Sequence, residues 1–329
     1  MGKREAGCKD MKIVILDYPR ENPGEIDWSG FEQYGEVFRY ERTLPEQAAE
    51  RIGDAEIVLL NKTVITKETL LKCPDIQFIG VIATGYNTVD VEAAKELHIP
   101  VANVPSYGTE AIGQHAIALL LEITNHVAHH DAEVRKGRRN GANDWCFWDY
   151  PSIELENKVM GIIGLGRIGQ ITSRVAQAFG MKVLAYDQFR NEALVNENCS
   201  YCELDTLLAQ SDVIALHCPL FPETENIINR ETISKMKDGV IIINNSRGAL
   251  VVEEDLAEAL KCGKVYAAGL DAVRNEPIEM DNPLLSAPNV FFTPHISWAA
   301  IECRQRLVDY SLENLKGYLN GMPKNIVNH

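Results

Sequence analysis

The 329-residue chain is short of three things, and each shortage excludes something. No apolar run approaches the roughly 20 residues that a membrane-spanning helix needs. The stretch "AIALLLEI" is too short for that and reads as core or subunit surface. Basic charge is scarce: 32 Lys and Arg stand against 47 Asp and Glu, for a net charge of −15. The longest basic cluster, "RKGRR" at Arg135–Arg139, reads as a solvated helix end, so the footprint of a nucleic-acid partner is missing. There is no cysteine framework either. Eight cysteines are scattered without paired spacing, which suits a reducing compartment and a cytoplasmic protein. Cys199 and Cys202 form one CxxC, but no second pair or nearby His completes a set of metal ligands, and no metal is expected. The first ten residues, "MGKREAGCKD", carry no apolar core of a secretory signal, and ordered structure is expected from Met11.

What is present is alternation. "KIVILD", "EIVLLN", "FIGVIA" and "VANV" read as buried strands, with "LPEQAAERIGD", "TKETLLKC" and "VDVEAAKEL" as helices between them. Thr43, Pro45 and Glu46 have the form of a capped helix start. A long helix is expected from about Thr109 to His130. A second series then follows, "KVMGIIG", "KVLAYD", "VIALHC", "GVIIINN", "VYAAGLDA" and "VFFT", spaced as in a doubly wound parallel sheet. The last thirty residues return to an amphipathic helix. The chain reads as two α/β domains, with a cleft between them as the default ligand site.

The second series opens with "GIIGLGRIGQ". Gly164, Gly166 and Gly169, with Arg167 and Ile168 between the last two, follow a strand and open a helix; a further strand ends at Asp187. That is the whole context a dinucleotide fingerprint requires: a tight turn, close backbone approach to a pyrophosphate, and a helix N-terminus facing the phosphates. Asp187 can accept hydrogen bonds from both ribose hydroxyls and would repel a 2′-phosphate, which favours NAD(H); Arg190 nearby leaves NADP(H) open.

Three ionisable residues stand after later strands, at the edge where chemistry gathers in open α/β sheets. Arg247 follows "GVIIINNS", Glu276 follows "AAGLDAVRN" and His295 follows "VFFTP". An arginine there can fork two donors onto a carboxylate. A histidine paired with a glutamate can be held charged and oriented to move a proton. Other features have plainer readings. "HVAHHD" places His126, His129, His130 and Asp131 at helical spacing, read as solvated helix-end residues rather than metal ligands. His115 is expected to pack between domains or subunits, and His217 to support the turn at Cys218 and Pro219.

These motifs resemble those of the D-2-hydroxyacid dehydrogenase family over nearly the whole chain from Met11. The resemblance implies a Rossmann dinucleotide-binding domain, 107–298, inserted into a flavodoxin-like substrate domain, 1–106 completed by 299–329. It implies NAD(H) as cofactor, a small 2-oxo or 2-hydroxy acid as substrate, and a homodimer built on the dinucleotide domains. "NNSRGALV" would make Arg247 the binder of substrate carboxylate and carbonyl, with Asn245 and Ser246 beside the cofactor. "LDAVRNEP" would make Glu276 the partner of the histidine and Asp271 a contact to the nicotinamide carboxamide. "TPH" would make His295 the acid/base. "ATGYNTVD" resembles the substrate loop, where N–H groups around Gly85 and Tyr86 would hold the carboxylate. Thr109 matches a position near the nicotinamide, and Cys218 and Pro219 match the wall around adenine and ribose.

Within the family, "CFWDYPSIELENKVMGIIGLGRIG" and "TPHISWA" look most like the glycerate dehydrogenase (hydroxypyruvate reductase) branch. There the Trp298 indole would wall a small pocket and its N–H would meet a hydroxyl. "ATGYNTVD" also resembles the loop of D-lactate dehydrogenases, so pyruvate or a larger 2-oxo acid is the alternative substrate. Formate dehydrogenases share the scaffold but use a Gln where Glu276 stands. A reading of another class is an NAD(H)-sensing binding protein similar to the C-terminal-binding-protein corepressors, which keep the same site residues.

Overall fold

The computed structural model describes residues 11–18, 25–138 and 145–329. The expectations for residues 1–10 and for Arg139 lie outside them. The chain forms two compact units, one running to Tyr107 and resuming from Ala299 to His329, the other spanning Gly108–Trp298.

The first unit contains β1 (Met11–Ile15), β2 (Gly35–Arg39), α1 (Ala48–Ile52), β3 (Ile57–Leu60), α2 (Lys67–Lys72), β4 (Phe78–Val81), α3 (Val91–Glu96) and β5 (Val101–Ala102). Its five strands pair in parallel in the order β2-β1-β3-β4-β5. β3 and β4 are buried at every residue, as strands covered on both faces must be. The helices start where side chains satisfy otherwise orphaned N–H groups: Thr66 accepts from Thr69 N at 3.3 Å, and Asp90 from Ala93 N at 3.0 Å.

The second unit opens with α4 (Thr109–Asn125) and α5 (Val127–Arg135). It continues through β6 (Val159–Ile163), α6 (Arg167–Ala178), β7 (Lys182–Tyr186), β8 (Cys199–Tyr201), α7 (Leu204–Gln210), β9 (Val213–Leu216), α8 (Arg230–Lys235), β10 (Val240–Asn244), α9 (Glu253–Lys261), β11 (Val265–Leu270) and β12 (Val290–Phe292). The seven strands are parallel and ordered β12-β11-β10-β9-β6-β7-β8. Strand order reverses between β6 and β9, so the loop after β6 opens at a topological switch point. The apolar side chains of β6, β9 and β10 divide between two buried clusters, one on each face of the sheet. The chain then returns to the first unit as α10 (Ile301–Leu319), whose Leu307, Val308 and Leu315 join the core of Ile13, Ile57 and Phe78.

Local expectations are corrected at three places. Thr43 does not cap a helix: its hydroxyl donates to Leu16 O at 2.7 Å, while Gln47 Oε1 accepts from Leu44 N at 3.1 Å and a 3-10 turn, Pro45–Gln47, precedes α1. The long helix does not run on to His130, because His126 adopts a left-handed conformation, φ 49°, between α4 and α5. The histidines there are not merely solvated. His126 is buried with its ring stacked 4.4 Å from that of Tyr150, His130 Nδ1 donates to His126 O at 2.8 Å, and His129 pairs with Asp149 at 2.8 Å. Hydrogen bonds from Arg138 first and His129 second pull the Asp149 carboxyl down to about 2. His115 Nε2 lies 2.9 Å from Thr293 Oγ1. Among the described residues no group of three or more His, Cys, Asp or Glu is arranged to hold a metal, and no helix is long and apolar enough to cross a membrane.

Candidate active site

The parallel order brings six strand ends to one edge of the second unit. Following the sheet, they are the His295 turn after β12, the loop of Asp271 and Glu276 after β11, the Arg247 turn after β10, Cys218 and Pro219 after β9, the glycine turn after β6, and Asp187 after β7.

The glycine turn is held tightly and left open on one side. Gly164 has φ +98°, and a Cβ there would lie 2.5 Å from Cys218 N, so no other residue fits beside the strand end it packs on. A Cβ on Gly169 would lie 2.2 Å from Gly164 O. Gly166, by contrast, is exposed and faces nothing within 4 Å, and α6 begins there without a side-chain cap. An uncapped helix start above an open glycine is a cradle for anionic oxygens. Asp187 Oδ2 accepts from Leu165 N at 2.7 Å and Oδ1 from Phe189 N at 2.9 Å, which ties the end of β7 to the turn. Arg190 is engaged with Glu203 at 2.7 Å. Cys218 is buried, which pushes its thiol up to about 11, and its carbonyl accepts from Ser246 Oγ at 2.9 Å. His217 bonds to Thr172 of α6 at 2.9 Å. These residues fit a dinucleotide: Gly166, Arg167, Ile168 and the start of α6 would hold a pyrophosphate, and Asp187 and Pro219 would adjoin its nucleoside.

On the other side of the switch point, Glu276 and His295 are brought together. Glu276 Oε2 lies 2.6 Å from His295 Nδ1, and Glu276 Oε1 accepts from Val273 N at 3.2 Å. With Nδ1 committed to the carboxylate, Nε2 is the nitrogen left to exchange a proton. His295 sits at φ +55°, a left-handed conformation that costs a non-glycine residue free energy. Asp271 holds it there. The buried carboxylate accepts at Oδ1 from Thr293 Oγ1 (2.5 Å) and Ile296 N (2.8 Å), and at Oδ2 from Ser297 N (2.8 Å) and Ser297 Oγ (2.5 Å). Thr293 Oγ1, having donated, accepts from His115.

Two further site residues are engaged with the same turn. Four donors thus converge on the Asp271 carboxylate, which clamps the turn that carries His295. Trp298 has one donor, and it goes to His295 O at 2.9 Å. Asn245 retains an acceptor: Nδ2 donates to Ile112 O at 2.8 Å, and Oδ1 is buried without a partner among the described residues.

The Arg247 turn is shaped by Asn244, whose Oδ1 accepts from Ser246 N at 3.1 Å and whose Nδ2 donates to Arg247 O at 2.9 Å. Sequence reasoning passed over Asn244; its one signal was a buried amide closing an apolar strand, a residue type suited to bonding nearby backbone. The Arg247 side chain is exposed, with Nη1 donating to Ser246 O at 2.9 Å. Thr109 is the first residue of α4. In the first unit, Gly85 and Tyr86 lie on the exposed loop after β4; neither N–H has a partner among the described residues, while Asn103 Nδ2 donates to Thr84 O at 2.7 Å and fixes the loop's start.

Residues 117–297 match the family model described as D-isomer specific 2-hydroxyacid dehydrogenase, NAD binding domain. The chain is 62% identical over 321 residues to a hydroxypyruvate reductase of Blautia hydrogenotrophica, covering 97% of this chain and 100% of that one. It is 38% identical to a glycerate dehydrogenase of Methylorubrum extorquens, covering 96% and 98%. Among solved structures, the D-lactate dehydrogenase of Escherichia coli matches with a TM-score of 0.84 at 30% identity, covering 96% and 99%.

Proposed function

We propose, for a chain that belongs to the D-isomer-specific 2-hydroxyacid dehydrogenase family and is an NAD(H)-dependent oxidoreductase, that its reaction is reduction of hydroxypyruvate, with glyoxylate as a second substrate, to D-glycerate and glycolate. NADH held at the glycine turn would supply the hydride for C2 of the oxo acid. Arg247 polarises the carbonyl with its fork of donors, and the N–H groups of Gly85 and Tyr86 hold the carboxylate. His295 gives its Nε2 proton to the carbonyl oxygen, and Glu276 stabilises the imidazolium that makes the gift. Asp187 binds the ribose hydroxyls, Asn245 and Thr109 adjoin the nicotinamide, and Trp298 walls a pocket sized for a short side chain. The observation that carries the reading is the 2.6 Å pairing of Glu276 with His295 Nδ1; the relative at 62% identity supports the substrate.

The test is optical NADH oxidation with hydroxypyruvate, glyoxylate, pyruvate and phenylpyruvate in parallel, repeated with NADPH. A lead in kcat/KM for hydroxypyruvate is expected. A lead for pyruvate or phenylpyruvate overturns the substrate, and NADH binding without any turnover overturns the enzyme. The homodimer belongs to the same proposal. Trp145 and Trp148, 80% and 73% exposed, support it as an apolar patch that a second copy would cover. Sedimentation of the wild type as a dimer, and of W145D/W148D as a monomer, is the expected result. A cytoplasmic location fits the seven free thiols among the described residues.

A further inference from the structure

Glu253 opens α9, five residues after Gly248, and is 8% exposed. A buried carboxylate is a costly residue to keep, and no cation is paired with it among the described residues. Its two oxygens go to one place. Oε1 accepts from Arg274 N at 2.8 Å and Oε2 accepts from Asn282 Nδ2 at 2.8 Å. Arg274 lies two residues before Glu276 and Asn282 six after, so Glu253 grips both flanks of the loop that presents Glu276.

The same loop meets the Arg247 turn backbone to backbone. A Cβ on Gly248 would lie 1.9 Å from Val273 C and 2.3 Å from Arg274 N, so only glycine lets the turn after Arg247 press against the segment before Glu276. Val273 N is also the donor to Glu276 Oε1, at 3.2 Å. The Arg274 guanidinium extends away to Asn226 and, at 3.5 Å, to Glu225. One buried side chain thus fixes the loop against the turn from which α9 itself begins.

From this geometry we infer that Glu253 is a positioning residue for the reaction: it sets the Glu276 carboxylate against His295 and in register with Arg247. The inference rests on the acid–base reading of Glu276 and His295 given above. Glu253 touches neither substrate nor cofactor; it acts by bonding the loop.

Glu253→Gln is a sharp probe. An amide keeps the shape but has one acceptor oxygen, so its NH2 must oppose either Arg274 N–H or Asn282 Nδ2, and Asn282 is held in orientation by Leu284 N donating to its Oδ1 at 3.0 Å. Asn282→Asp in the same chain restores complementarity, since the new carboxylate accepts from the glutamine NH2 and still caps Leu284 N. The expected result is a fall of about tenfold in kcat for E253Q, as misplacement of a catalytic group costs. KM for the oxo acid and the NADH Kd, read by fluorescence, should stay near wild type, and E253Q/N282D should recover most of the lost kcat.

E276Q, measured alongside, separates the two readings. If E276Q turns over at the wild-type rate, the acid–base pair is wrong and this inference falls with it. If E276Q is slow while E253Q runs at the wild-type rate, or N282D fails to rescue E253Q, the positioning role alone is overturned. Should E253Q not fold, N282S serves in its place, because serine can still cap Leu284 N while dropping the bond to Glu253; a wild-type kcat for N282S overturns the role.

Discussion

His295 Nδ1 is taken by Glu276 at 2.6 Å, which leaves its proton chemistry to Nε2. Reduction consumes that proton and oxidation needs the nitrogen bare. Reduction should therefore fade as pH rises and oxidation as pH falls; the same limb in both directions would count against the pair. His295→Asn should lower kcat by about 10²–10⁴, the usual worth of a general acid, with the NADH Kd unchanged by fluorescence titration. A weaker NADH complex with kcat intact would sink that role. Asp187 permits a test of cofactor choice, since Arg190 beside it is already engaged with Glu203. Asp187→Asn keeps an oxygen for Leu165 N but removes the charge, so the preference for NADH over NADPH should shrink by about tenfold, the worth of a charge-assisted hydrogen bond. An unchanged ratio of the two Kd values would move the ribose site elsewhere.

The elements carry the strictest geometric demand at the glycine turn. Gly164→Ala combines a left-handed φ of +98° with a clash at 2.5 Å, so it should cost at least about 2 kcal/mol in urea unfolding and abolish NADH binding. Binding at wild-type strength would mean the turn is not the phosphate site. This turn was legible because its signal is local: three glycines between an apolar strand and a helix. The long buried strands were legible for the same reason, β10 being apolar at four of five positions and buried at all five. Two of the four edge strands were not. β2, "GEVFR", is mostly exposed and has no apolar run, and β8 is three residues long. The break at His126 was hidden because helical periodicity runs through it and neither Gly nor Pro marks it. At the site, residue types and loop positions could be read from spacing, whereas long-range bonding could not. The four donors that saturate Asp271 come from residues 293–297, and Glu253 looks in sequence like one more acid on the polar face of "EEDLAEALK".

For the molecule as a whole, acid stability is set by opposing contributions. Lowering the pH relieves the self-repulsion of a chain with net charge −15, which favours the compact state. His217 works the other way. Partly buried at the end of β9 and bonded to Thr172 of α6, it is pushed by desolvation from 6.5 down to about 4. Burial also lowers His126. Between about 6.5 and about 4 the unfolded chain takes up a proton at His217 that the folded chain refuses. The stability contributed by His217 is thus fully present above 6.5, is lost as pH falls toward 4, and changes no further below that. A shift of this size corresponds to about 3 kcal/mol in full, of which about 2 kcal/mol is lost between about pH 7 and about pH 4.5. Asp149, held at about 2, does not titrate in this window. Urea unfolding at about pH 7 and about pH 4.5 should show the wild type losing stability, and His217→Gln, which can keep a bond to Thr172, losing less by about that amount. Comparing the two proteins cancels the net-charge contribution, because glutamine removes only the buried titration. An identical loss in both would assign the acid sensitivity to His126 and its neighbours instead of to the junction between β9 and the cofactor helix.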